Sequence, residues 1–76
     1  MTPVPPKSLD KALAHIRQGG RLLVPSYTKP ILIDLKALAR FDKAGVPLLR
    51  EDGNGYRLTQ GKGSVYLFPG QLKAID

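Results

Sequence analysis

The 76 residues carry twelve Lys and Arg against six Asp and Glu, a formal charge of +6, with no cysteine and 42% hydrophobic residues. That length holds one domain, whose folding removes only roughly 60% of the surface its unfolded chain exposes, and the apolar content excludes a disordered segment. A disulfide is excluded, no apolar run approaches the ~20 residues of a membrane span, and the excess positive charge favours polyanionic partners or serves solubility.

The chain opens Met1-Thr2-Pro3-Val4-Pro5-Pro6-Lys7, which has no apolar core of a secretory leader. Three prolines in five residues bar helix and central strand, so residues 1–7 are expected to be a flexible, proline-rich lead-in to a single domain over residues 8–76. The missing cysteines fit a reducing cytoplasm, and a small cytoplasmic protein of a bacterium or phage is the default expectation.

Ser8 is a good N-cap and Asp10 places an anion in the first turn, while Leu9, Ala12, Leu13 and Ile16 recur at helical spacing. A first helix is therefore predicted from Leu9 to Gln18, stopped by Gly19-Gly20, with Lys11 and His15 facing outward. Arg21-Leu22-Leu23-Val24 predicts a short buried strand, Ser26 to Pro30 a loop, and Ile31-Leu32-Ile33 a second strand. Asp34 then caps a second helix whose core face is read as Leu35, Leu38, Ala39 and Phe41, ending at Gly45 with Lys43 in the last turn.

From Pro47 the pattern changes to short alternating runs between glycine turns, an antiparallel meander. Its strands are predicted over residues 48–51, 56–59 and 65–68, joined by Asp52-Gly53-Asn54-Gly55 and Gln60-Gly61-Lys62-Gly63. Residues 71–76 form a short tail whose Leu72 and Ile75 pack on the sheet. The fold predicted is α+β: two short helices on a small, mostly antiparallel sheet, in the order α-β-β-α-β-β-β.

No residue pattern points to catalysis. Gly61-Lys62-Gly63-Ser64 lacks the earlier glycine and the hydroxyl directly after the lysine that a phosphate loop needs, and reads as a β-turn. His15 is the sole imidazole, so without cysteine no zinc set is expected, and no nucleophile elbow surrounds Ser26, Thr28 or Ser64. Asp10, Asp34, Glu51, Asp52 and Asp76 fall at helix starts, beside a hairpin and at the terminus rather than as an acid–base pair. The expectation is a protein that is no enzyme and takes no cofactor or metal.

Charge placement says more. Lys36, Arg40 and Lys43 stand at i, i+4 and i+7 on the second helix, one basic stripe of the kind that neutralises phosphates and releases their counterions. Arg50 and Arg57 on the following hairpin and Lys62 in the next turn extend that positive surface. Over residues 34–60 the chain resembles winged-helix and excisionase-like DNA-binding domains: a helix ending in Ala44-Gly45, a strand, a Gly-Asn-Gly turn, and a strand beginning Tyr56-Arg57-Leu58-Thr59. The resemblance implies DNA contacts by Lys36, Arg40 and Lys43 from a recognition helix and by Arg50, Arg57 and Asn54 from a wing. Where a helix-turn-helix has its preceding helix, this chain has Pro25, Pro30 and a predicted strand.

The competing expectation is a protein-interaction module that docks on a larger partner through Tyr27, Tyr56, Tyr66 and Phe68. Alternation puts Val65 and Leu67 on one sheet face and Tyr66 and Phe68 on the other, and aromatic side chains carry interface energy. An open sheet edge also makes a homodimer an expected possibility.

Overall fold

Both helices begin where a capping side chain can satisfy the backbone donors of a first turn. In the computed structural model, which describes residues 6–26 and 28–75, Ser8 is extended and its hydroxyl accepts from the Lys11 N–H at 3.2 Å, starting α1 (Leu9–Arg17). The Asp34 carboxylate accepts from the Ala37 N–H at 3.0 Å and starts α2 (Leu35–Ala44). Gly45 ends α2 at φ +74°, in the left-handed region that favours glycine. Most of the expected lead-in, over residues 1–5, lies outside the described residues, as do Tyr27 and Asp76.

Six strands follow the predicted order and add one: β1 (Arg21–Val24), β2 (Ile31–Ile33), β3 (Leu49–Asp52), β4 (Gly55–Gln60), β5 (Gly63–Leu67) and β6 (Lys73–Ile75). They form two three-stranded antiparallel sheets, β2-β1-β6 and β3-β4-β5, rather than one. The second is the predicted meander. The first is closed by the tail, because Leu22 pairs with Ile33 on one side and with Ala74 on the other. The fold is α+β.

Period-two alternation decides which side chains enter the core. Leu22, Val24 and Ile33 from the first sheet meet Leu49, Tyr56, Leu58 and Leu67 from the second, and Ala12 and Ile16 of α1 and Leu38 of α2 pack against them. Leu72, which leads into β6, is 0% exposed, so the tail is part of the core rather than an appendage. Among the described residues no polar or charged side chain is buried, and no helix is long and apolar enough to cross a membrane.

Two helix readings are corrected. Leu35 is 51% exposed and Ala39 is exposed, so the core face of α2 is Ala37, Leu38 and Phe41. A ten-residue helix resting on a three-stranded sheet buries a stripe narrower than the apolar letters imply. His15 is half-buried rather than outward: its Nε2 hydrogen-bonds the Ile75 carbonyl, and its ring lies against Gly20, where any Cβ would overlap it. That contact fastens α1 to the end of β6.

Candidate nucleic-acid interface

Two tight loops set the register of β3-β4-β5, and the register builds the candidate site. Gly53-Asn54 and Gly61-Lys62 each put a glycine at positive φ, +60° and +57°, in the first loop position. That sign pattern belongs to the hairpin turns whose twist matches the strands they join. Asp52 consequently pairs with Gly55 and Arg50 with Arg57; across the second loop Gln60 pairs with Gly63 and Arg57 with Tyr66. Arg50, Arg57 and Tyr66 therefore form one transverse row on the sheet face opposite Leu49, Leu58 and Leu67, which are buried.

Arg57 and Tyr66 in that row are held by named contacts. The Tyr66 ring lies over Gly55: a Cβ there would come within 2.6 Å of Oη and would also overlap the Leu67 carbonyl. The Arg57 guanidinium sits 5.6 Å from the Tyr66 ring centre, a cation–π distance, while its Nε donates to Asp52 Oδ2 at 2.9 Å and its Nη1 to Ser64 Oγ at 3.3 Å. Phe68 meets Tyr66 edge to face, with ring centres 5.3 Å apart.

Phe68 is 64% exposed yet anchored. Its N–H donates to Gln71 Oε1 at 2.7 Å, and its carbonyl accepts from the Gln71 N–H at 2.9 Å, closing a turn through Pro69-Gly70. Pro69 stands at the turn position where its fixed φ is favoured. Asp52, Gly55, Ser64 and Gln71 support the site and were not singled out from the sequence as site residues. Counting outward from the two-residue loops is the signal that finds the first three, because it places each of them on the face of Arg57.

Tyr56 is corrected as an interface candidate. It is 6% exposed on the inner face, where burial pushes its phenol above the ordinary value and Glu51, its cross-strand partner, adds to the shift. Tyr27, another such candidate, lies outside the described residues.

The basic stripe of α2 lies on the side away from the core. At 3.6 residues per turn Lys36, Arg40 and Lys43 fall within an arc of roughly 60°, about 160° around the axis from the buried Leu38. All three are exposed, as are Arg50 and Lys62, and none of the five forms an ion pair among the described residues. Arg57 differs, because Asp52 neutralises it.

Helix and meander meet at one place. Arg40, Phe41, Ala44 and Val46 share a shallow depression with Thr59 and Gly61, immediately before Lys62. The Thr59 hydroxyl donates to the Pro47 carbonyl at 2.7 Å and its N–H to the Leu48 carbonyl at 2.9 Å, tying β4 to the segment that leaves α2. Arg40 borders this depression and also a second one, lined with it by Lys36, Leu32, Asp34 and Ala39, whereas Lys62 follows Gly61 in the β4–β5 turn. Among the described residues no three His, Asp or Glu side chains stand together as a metal site would require. No protein-family model, no curated protein and no solved structure matches this chain.

Proposed function

We propose that this chain is a non-catalytic nucleic-acid-binding protein that takes DNA. The observation that carries the reading is that Lys36, Arg40 and Lys43 on the outer side of α2, with Arg50 and Lys62 on the meander, are all exposed and form no ion pair among the described residues. Exposed cations without carboxylate partners gain most from phosphates, because each contact releases a condensed counterion without first breaking an internal ion pair. The resemblance to winged-helix and excisionase-like domains belongs to this proposal, with α2 laid along the phosphate backbone and the β3–β4 hairpin beside it.

The test is fluorescence anisotropy of labelled oligonucleotides, duplex and single-stranded, between about 50 and 300 mM salt. Three to six phosphate contacts give a log K versus log salt slope of roughly −3 to −5 on duplex DNA. Changing Lys36, Arg40 and Lys43 together to Gln reduces that slope by about 2 to 3 units. Absence of binding to either form at ~50 mM salt, or a triple variant that binds like the parent, removes the proposal.

A protein partner is the second reading, favoured by Leu32 and Leu35, both about half exposed at and beside the edge strand β2. A second copy of the chain is the simplest such partner. Light scattering across a hundredfold concentration range measures it directly.

A further inference from the structure

We infer that the outer face of β3-β4-β5 is a stacking platform for single-stranded DNA, with Phe68, braced edge to face by Tyr66, receiving a base and Arg50 a backbone phosphate. This rests on the DNA-binding reading and narrows its target. The aromatic residues and the arginines of the meander, which point separately to a protein partner and to DNA, share one face. Arg50, Arg57 and Tyr66 lie in register across its three strands, and Phe68 touches Tyr66.

Three features argue for unpaired bases. Phe68 leaves most of its ring in water although its backbone is fixed at both ends by Gln71, so little freedom remains to be lost when a flat partner lands on it. A duplex keeps its base faces stacked inside, and only an unpaired strand can offer them to a ring standing on a sheet. Arg50 lies directly opposite Arg57, whose charge Asp52 neutralises, so Arg50 is the cation of this row that forms no ion pair among the described residues and is left to meet a phosphate.

DNA is preferred to RNA because the two aliphatic hydroxyls on this face are engaged, Ser64 with Arg57 and Thr59 with Pro47, and the Tyr66 hydroxyl lies against Gly55.

The experiment compares oligo-dT and oligo-U of about 20 nucleotides with a duplex of equal length at ~50 mM salt, for the parent, Phe68→Ala and Phe68→Trp. The expected result is tighter binding of oligo-dT than of duplex or oligo-U. Phe68→Ala weakens the oligo-dT complex about 5- to 150-fold, the range for losing one stacked base. Phe68→Trp retains binding, and because the chain has no native Trp its emission is quenched as bases stack on it. Equal affinity for duplex and single strand, with Phe68→Ala within twofold of the parent on oligo-dT, overturns the inference and leaves the broader DNA reading standing. No binding to any oligonucleotide removes both. Oligo-U bound as tightly as oligo-dT overturns the choice of DNA. Self-association lost in Phe68→Ala without any change in oligo-dT binding reassigns the face to a second copy of the chain. Phe68 is exposed, so a thermal melt near that of the parent accompanies each valid comparison.

Discussion

Replacing Gly55 by Ala tests the arrangement on which the sheet face depends. A Cβ at this position meets two obstacles, the Tyr66 ring, with Oη at 2.6 Å, and the Leu67 carbonyl, which belongs to the backbone of β5 and cannot swing aside. Gly→Ala inside a strand normally stabilises by roughly 0.5–1 kcal/mol through lost chain entropy. Forcing an extra methyl into occupied space costs about 1–3 kcal/mol, so the net effect is a loss of about 1–2 kcal/mol. For a domain of this size each kcal/mol moves the midpoint by roughly 4–8 °C, and the expected drop in Tm is about 5–15 °C. Thermal melts followed by circular dichroism measure it, and the Tyr66→Ala background separates the obstacles. Removing the ring returns only part of the loss, because the carbonyl remains. A Gly55→Ala protein as stable as the parent shows that neither obstacle stands over this glycine, and the account of how Tyr66 is held falls with it.

Leu72→Ala and Leu35→Ala delete the same side chain from opposite environments, 0% and 51% exposed. The first is expected to lose about 2–5 kcal/mol in urea unfolding and the second under about 0.5 kcal/mol, and equal losses refute the placement of both. Tyr56 gives a pH prediction. Its phenol in the folded chain lies above the ordinary value of 10.0, chiefly through burial and then through Glu51, so the unfolded chain releases this proton first as pH rises. The stability it contributes is therefore complete below that value and declines as pH climbs through the higher folded pKa. Tyr56→Phe flattens the decline in alkaline unfolding curves, and an unchanged profile contradicts the burial of that hydroxyl.

The elements were readable because local chemistry specifies them. Ser8 and Asp34 cap the helices, Gly45 stops the second, and the glycine-led loops at Gly53 and Gly61 mark the hairpins. What was not readable depends on partners distant in sequence. β6 is three residues with weak alternation, and only its pairing to β1 makes it a strand. Leu35 and Ala39 looked like core because spacing shows which positions share a helix face but not how much of that face a sheet covers. Tyr56 and Tyr66 are alike by composition and differ in parity: one loop register sends the first inward and the second outward. The six cations were all visible, whereas Arg57 is engaged with Asp52 through a register that charge counting does not supply.

The pairing of β1 with β6 sets an order of events during synthesis. Leu22 is made early and waits for Ala74, roughly fifty positions downstream, before its second edge is covered, while the β3–β4 and β4–β5 hairpins can close as soon as they emerge. Until residues 72–75 leave the ribosome, the nascent chain shows an open β1 edge and an unfilled hollow where Leu72 belongs. A trigger for aggregation or proteolysis therefore exists in that interval and vanishes once Lys73–Ile75 pair with β1.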